Sequence, residues 1–143
     1  MTTFDFHDGN GPVPAHQHPN GGGWVADTAT VAETAFVGPD ARVFGHAVVF
    51  GNAKVFDYAQ IYGNAWIYGY ACVSGEARIY GRTQIYGDAR VYGNARIYDY
   101  AWVCDSARVS GNAEVSGNAM IFDYARVSGN AEVSGDEDVS GEK

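Results

Sequence analysis

The sequence lacks several features, and each shortage excludes a class of protein. No apolar run approaches the roughly 18 residues that a transmembrane helix needs, so we expect no membrane span. The first ten residues, MTTFDFHDGN, contain neither a basic segment nor an apolar core, so we expect no secretory signal peptide. Basic residues are few, since nine Lys and Arg stand against 17 Asp and Glu. The resulting net charge of −8 argues against direct nucleic-acid binding, which needs a basic surface.

The chain also lacks any interruption of a six-residue period between Trp24 and Lys143. A valine or isoleucine, here called an anchor, recurs at every sixth position twenty times in succession. A small residue, nearly always alanine, precedes each anchor by two positions, and glycine or aspartate usually follows it by two. A period of six excludes an α-helix, whose apolar spacing is near 3.6, and is typical of a parallel β-helix. The anchors are Val25, Val31, Val37, Val43, Val49, Val55, Ile61, Ile67, Val73, Ile79, Ile85, Val91, Ile97, Val103, Val109, Val115, Ile121, Val127, Val133 and Val139.

The order of residues within one repeat predicts which side chains point inward. Successive side chains of a strand point to opposite faces, so Ala41 and Val43 share one side while Arg42 and Phe44 share the other. Gly45 then begins the bend, because glycine adopts a positive φ without steric cost. The chain can bury its β-branched row only by winding into a prism, with Val and Ile inside and Gly and Asn at the corners.

With this pattern, the sequence resembles the hexapeptide-repeat, left-handed β-helix superfamily over residues 24–143. In that superfamily three repeats make one triangular coil, so the resemblance implies an all-β, single-domain, left-handed parallel β-helix of six to seven coils. The left hand is implied by the resemblance alone, because the general preference for right-handed parallel crossovers points the other way. The sequence also resembles the loop-free "transferase hexapeptide repeat" proteins of enteric bacteria and their phages, whose activity is unproven.

Residues 1–23 do not follow the period, and we expect them to form a short irregular N-terminal cap. Phe4 and Phe6 are candidates to cover the first coil, because the end of a solenoid needs a cap. His16 and His18 would point the same way in an extended segment, which makes a metal site conceivable. A polar capping loop is the favoured interpretation of this pair, so we predict no metal.

Residues eighteen apart should stack, and the outward positions therefore sort into three faces. The second face has no formal charge from Val48 to Phe122 and holds two of the three tryptophans. A large apolar patch of this kind is typical of an interface core, so we predict that the chain forms a dimer or a trimer through this face. The predicted interface residues are Val48, Phe50, Trp66, Tyr68, Tyr86, Trp102, Met120 and Phe122.

Many members of the resembling superfamily are acyltransferases that use coenzyme A or a similar donor and a histidine as general base. The repeat array here contains one histidine, His46, which is the only fallback catalytic residue. The period also leaves no loop that could build a concave substrate pocket. We therefore expect no enzyme activity and no cofactor, and keep acyltransferase as the alternative.

The preferred prediction is a non-enzymatic structural or interaction protein, a rigid self-associating rod that presents a surface to a macromolecular partner. A second alternative is an inhibitor that mimics nucleic acid through acidic bends, but these acids are scattered among three corners. Cys72 and Cys104 fall on outward positions of different faces and should not pair, which suits a reducing cytoplasm. The acidic bend residues are Asp57, Glu76, Asp88, Asp99, Asp105 and Asp123.

Overall fold

The computed structural model describes residues 2–143, and these contain strands and turns but no α-helix. The first three strands are β1 (Thr3–Asp5), β2 (Pro12–Gln17) and β3 (Trp24–Ala26). Every later strand has two residues and follows the previous one at a spacing of six. These strands are β4 (Thr30–Val31), β5 (Phe36–Val37), β6 (Arg42–Val43), β7 (Val48–Val49), β8 (Lys54–Val55), β9 (Gln60–Ile61), β10 (Trp66–Ile67), β11 (Cys72–Val73), β12 (Arg78–Ile79), β13 (Gln84–Ile85), β14 (Arg90–Val91), β15 (Arg96–Ile97), β16 (Trp102–Val103), β17 (Arg108–Val109), β18 (Glu114–Val115), β19 (Met120–Ile121), β20 (Arg126–Val127), β21 (Glu132–Val133) and β22 (Asp138–Val139).

From β3 onward the strands form three parallel sheets, and each strand pairs with the strand three places later in the chain. Face one contains β3, β6, β9, β12, β15, β18 and β21, and it is extended by β2 and β1. Face two contains β4, β7, β10, β13, β16, β19 and β22, and face three contains β5, β8, β11, β14, β17 and β20. Partners are eighteen residues apart and in register, as Trp66 with Gln84 shows. The predicted all-β fold of stacked parallel coils, about six turns in all, is confirmed.

The anchors and the alanines before them form one continuous core between the three faces. Ile61, Ile67 and Ile79 are fully buried, and so are Ala59 and Ala65. Each face therefore contributes alternate residues to the interior, as a two-residue period within the strand requires. Three of these positions hold other residues, namely Gly23, Thr83 and Glu137. The Thr83 hydroxyl is fully buried with no hydrogen-bond partner among the described residues.

The corners between faces are tight two-residue bends that keep the backbone ladder intact. The first bend residue is left-handed, with φ of 65° at Gly45 and 62° at Asp99. The second bend residue donates its N–H to the next coil, as His46 does to the Gly63 carbonyl at 2.8 Å. Because such pairings continue around the corners, the buried backbone groups of the stack are satisfied by neighbouring coils.

The N-terminal segment, expected to be irregular, contains the antiparallel strands β1 and β2, and β2 in turn pairs with β3. Phe6 stacks on Phe44 and Phe4 stacks on Trp24, at centroid distances of 4.8 and 4.7 Å. These rings therefore pack on the outer side of face one rather than over the end of the core. Phe6 continues a column of stacked rings that runs through Phe44, Tyr62, Tyr80 and Tyr98.

The loop over residues 18–23 covers the open edge of β5 at the start of face three. Val37 donates its N–H to the Asn20 carbonyl and accepts the N–H of Gly23, both at 3.0 Å. A Cβ on Gly23 would lie 2.3 Å from the Gly38 carbonyl oxygen, so this close approach requires glycine. At the other end of the stack, Lys143 pairs with the backbone of Arg126, while its ammonium group forms an ion pair with Glu137.

Candidate functional site: the uncharged aromatic face

Each face presents two outward columns, one formed by the residues before the anchors and one by the residues after them. We call these the leading and trailing columns. On face two the leading column runs through Val48, Trp66, Gln84, Trp102 and Met120, and the trailing column runs through Phe50, Tyr68, Tyr86, Cys104 and Phe122. All eight predicted interface residues thus lie on this one face.

The trailing column of face two is a ladder of parallel rings. Phe50 stacks on Tyr68 at a centroid distance of 4.7 Å, and Tyr68 stacks on Tyr86 at 4.9 Å, with interplanar angles of 7° and 4°. The separation is close to the spacing of about 4.8 Å between neighbouring strands, so the repeat itself brings the rings into contact. Such cross-strand aromatic pairs stabilise the sheet and hold the trailing column rigid.

The two tryptophans of the leading column lie edge-on to this ladder. Trp66 contacts Phe50 at a centroid distance of 6.2 Å and an interplanar angle of 80°. Trp102 contacts Tyr86 in the same way, at 6.3 Å and 74°. Despite these contacts Trp66 is 45% exposed and Trp102 is 38% exposed. The ladder therefore positions two large apolar side chains without covering them.

Exposed aromatic area is concentrated around face two. Within residues 2–143, seven large hydrophobic side chains are exposed, and five of them lie on face two or on one of its two borders. Tyr100 is in the bend that enters face two, while Tyr70 and Tyr124 are in bends that leave it. The exposed fractions are 56% for Tyr100, 66% for Tyr70 and 82% for Tyr124. Face two and its borders thus form the largest group of exposed aromatic residues in the part of the chain that is described.

A shallow apolar groove lies toward the C-terminal end of face two. It is lined by Tyr100, Trp102, Asn118 and Met120. Tyr100 and Asn118 come from successive bends, while Trp102 and Met120 are neighbours in the leading column. The groove therefore connects the border tyrosine to the centre of the face, and an apolar side chain of a partner could occupy it.

The polar atoms of face two have little capacity for acid–base chemistry at neutral pH. Burial raises the pKa of the Cys104 thiol above its usual range, and Asp105 and Asp123 add to this effect. Burial, followed by hydrogen bonding to Cys104, also raises the pKa of the Tyr86 phenol. Because the thiolate is the nucleophilic form of cysteine, burial and a raised pKa both lower the reactivity of Cys104.

Sequence reasoning missed three features of this face. Cys104 points outward but is only 5% exposed. Gln84 is the one polar residue in the leading column, and its Oε1 accepts a 2.9 Å hydrogen bond from the Tyr68 hydroxyl. The border tyrosines were not among the predicted interface residues. The sequence did contain a signal for them. The second bend position is often Asn or Asp, which favour turns, and a tyrosine there has no turn-forming role.

His46, the fallback general base, is exposed in a bend between faces one and two. Its backbone N–H bonds to Gly63, but its side chain makes no hydrogen bond within residues 2–143. The groove on face two is lined by other residues. No partner group therefore orients the imidazole for proton transfer in the described part of the chain.

The two fallback metal ligands, His16 and His18, have separate partners. The Nδ1 atom of His16 lies 2.7 Å from the Asp27 carboxylate on the surface. His18 is buried, where its Nδ1 accepts the Asn20 N–H at 3.1 Å and its Nε2 lies 3.0 Å from the Ala32 carbonyl oxygen. Residues 2–143 contain no group of three or more potential metal ligands. His18 instead fastens the N-terminal loop to the first coil.

Three of the acidic bend residues bond to the coil that follows. Asp57 accepts the N–H of Gly75 at 3.1 Å, Asp99 accepts that of Gly117 at 3.0 Å, and Asp105 accepts that of Asp123 at 2.9 Å. These carboxylates therefore have a local role in satisfying backbone groups at the corners.

Comparison with known proteins supports a solenoid repeat protein. A family model described as "YdcK Beta solenoid repeat" matches residues 59–75, 84–99 and 89–105. These segments lie in the middle coils, which carry the aromatic ladders of faces one and two. No curated protein matches the chain. No solved structure matches it. Within residues 2–143 there is no helix that is long and apolar enough to cross a membrane.

Proposed function

We propose that this chain is a non-enzymatic structural and interaction protein, a rigid β-helical rod that associates with copies of itself through face two and presents a surface to a macromolecular partner. The observation that carries the proposal is the concentration of exposed aromatic side chains on face two and its borders. Aromatic residues and methionine with few charges are the composition of an interface core.

The geometry of face two suits an interface in two ways. The ladder of Phe50, Tyr68 and Tyr86 is fixed by contacts within the chain, so little side-chain entropy is lost there on association. Trp66 and Trp102 stand beside it, partly exposed, and tryptophan is enriched among residues that dominate binding energy. Closed symmetric oligomers are the usual outcome of a self-complementary face, so a dimer or a trimer is the expected assembly.

The experiment is a mass measurement by light scattering on the full chain and on a Trp66→Glu/Trp102→Glu variant. We expect the full chain to be a dimer or trimer and the variant to be a monomer, because a charge buried at an interface without a partner is strongly unfavourable. A matched control is Tyr58→Glu, which changes an aromatic residue that is 62% exposed on a corner away from face two. A monomeric parent chain, or an unchanged mass in the double variant, contradicts the proposal.

The proposal extends to family and compartment. An uninterrupted six-residue period with three strands to a coil supports membership in the hexapeptide-repeat superfamily, as a loop-free member of the bacterial or phage kind with left-handed coils. The cysteines Cys72 and Cys104 are both free, which suits a reducing cytoplasm. An experimentally phased crystal structure tests the hand directly, and right-handed coils contradict this assignment.

A further inference from the structure

Face three carries a charge pattern opposite to that of the whole chain. The net charge of the protein is −8, yet the outward positions of face three hold four basic residues and no acidic one. The leading column contains Lys54, Cys72, Arg90, Arg108 and Arg126, and the trailing column contains Phe56, Ser74, Tyr92, Ser110 and Ser128. Four of the nine Lys and Arg residues of the chain thus lie on this face, with no acidic residue in either of its columns.

Three of these residues form an unbroken arginine ladder. Arg90 pairs in register with Arg108, and Arg108 pairs in register with Arg126, so their Cα atoms follow the coil spacing of about 4.8 Å. All three side chains are exposed. Among the described residues none of the three has a carboxylate within ion-pair distance, since the ion pairs present involve His7, His16 and Lys143.

The trailing column beside the ladder is neutral and can form hydrogen bonds, whereas Asp88, Asp105 and Asp123 lie in the bends on the other side of the ladder and Glu142 pairs with the backbone of Arg126 at its C-terminal end. A shallow groove on this face is lined by Arg108, Arg126, Tyr92, Ser110 and Ser128. The groove therefore offers guanidinium donors on one side and hydroxyl groups on the other. Tyr92 is 40% exposed at the N-terminal end of the groove, where its ring presents a flat apolar surface.

We infer that face three binds a linear anionic polysaccharide with one carboxylate on each sugar residue, lying parallel to the axis of the coil stack. This inference rests on the part of the proposed function that concerns a macromolecular partner, and it does not require self-association. Guanidinium groups bind carboxylates in a planar, bidentate geometry, and hydroxyl groups and a tyrosine ring suit the rest of a sugar. One pyranose residue is similar in length to the coil spacing of about 4.8 Å, so a polysaccharide lying along the stack advances by about one sugar for each arginine.

Other polyanions fit this ladder less well. An extended acidic peptide advances about 3.3 Å per residue, so its residues do not keep step with a coil spacing of about 4.8 Å. A wide nucleic-acid duplex would approach Asp88, Asp105 and Asp123, which lie in the bends that enter face three. Single-stranded nucleic acid is held by a run of aromatic platforms, whereas the positions beside the lower two arginines are Ser110 and Ser128.

The test is calorimetric titration of the full chain with oligogalacturonates of increasing length, and with neutral oligosaccharides of the same lengths. We expect the acidic oligomers to bind with an affinity that rises with length until the ladder is filled, and the neutral ones not to bind. Arg108→Gln should weaken binding by about tenfold or more, because it removes one charge-assisted hydrogen-bonding group from the middle rung. The triple variant Arg90→Gln/Arg108→Gln/Arg126→Gln should abolish it.

The matched control is Arg78→Gln/Arg96→Gln on face one. Arg78 and Arg96 are also exposed neighbours in register, but they share a groove with Glu76. This control should bind like the parent chain, and circular dichroism should show that all variants keep their fold. Absence of binding by the parent, or an equal loss in the control, overturns the inference. Tighter binding of a polyglutamate peptide or a single-stranded oligonucleotide to the same arginines overturns the polysaccharide assignment. Light scattering on the same samples reports self-association separately, so the two proposals can fail independently.

Discussion

The Asp99 carboxylate accepts a hydrogen bond from the backbone N–H of Gly117, one coil further along the stack, at 3.0 Å. Asp99 itself has a φ of 62°, so one residue makes the left-handed bend and also satisfies the donor below it. Asp57 and Asp105 repeat this arrangement at the other two corners. Asp therefore replaces Gly at these bends for a structural reason.

The first prediction concerns this bend. Asp99→Ala should lower the free energy of unfolding by about 1–3 kcal/mol, because alanine keeps the left-handed strain and loses the acceptor. Asp99→Gly should cost less, since glycine adopts the same φ freely. Urea denaturation of both variants measures the difference. Equal stabilities for the alanine and glycine variants would show that the left-handed conformation is not strained.

The second prediction concerns the buried hydroxyl of Thr83. Thr83→Ala should raise the free energy of unfolding by about 1 kcal/mol, because it removes a buried polar group that has no hydrogen-bond partner and loses only one methyl group in exchange. The reverse change one coil earlier, Ala65→Thr, should lower stability by about 1–3 kcal/mol for the same reason. Denaturant titration of the pair is the measurement, and a destabilised Thr83→Ala variant contradicts the account.

The third prediction separates the two N-terminal histidines. His18→Ala should destabilise the protein by about 2 kcal/mol, because it removes the side-chain partner of the Asn20 N–H and of the Ala32 carbonyl and opens a cavity where the buried imidazole lies. His16→Ala should cost under about 1 kcal/mol, since its contact with Asp27 is exposed. Thermal melts with and without zinc or EDTA provide the readout. A metal-dependent melting temperature that both substitutions abolish would instead indicate a metal site.

The fourth prediction concerns alkaline pH. Burial raises the pKa of Tyr62, Tyr68, Tyr80 and Tyr86 above the ordinary value of 10.0. The phenols of the unfolded chain therefore lose their protons at a lower pH than those of the folded chain. The contribution of these tyrosines to the free energy of unfolding is complete below about pH 10 and falls as the pH rises through the pKa values of the folded state. Denaturant titrations from neutral to alkaline pH should show this loss.

The matched variant for the alkaline experiment is Tyr80→Phe, which keeps the ring between Tyr62 and Tyr98 but removes the phenol. Its loss of stability above pH 10 should be smaller than that of the parent chain. An identical pH profile for the two proteins would mean that the stacked phenols ionise equally in the folded and unfolded states.

The sequence predicts the repeating part of the fold well because one period determines strand, bend and core together. Each anchor and each alanine before it had only one way to be buried, and Val43 and Ala41 are indeed in the core. The period also places Trp66 and Trp102 on one face, because residues eighteen apart stack and these two are separated by two such steps. The assembly through that face stays a prediction.

What the period could not predict depends on contacts outside the repeat. An outward position was expected to be exposed, yet Phe44 is only 4% exposed because Phe6 and Tyr62 stack on its two sides. The role of His18 was equally hidden, because it depends on a loop that folds back onto Ala32. Such contacts join segments with no shared spacing, so only the three-dimensional structure reveals them.

The in-register pairing of residues eighteen apart has a consequence for how such a chain can vary. Removing or duplicating one whole coil from the middle would join the same kinds of residues across the new junction, so the hairpin at one end and the tail at the other would be undisturbed. The length of the coil stack can therefore change in steps of about 4.8 Å, while the outward side chains of each face can change one residue at a time. The length of such a protein and the binding properties of its faces can therefore evolve independently.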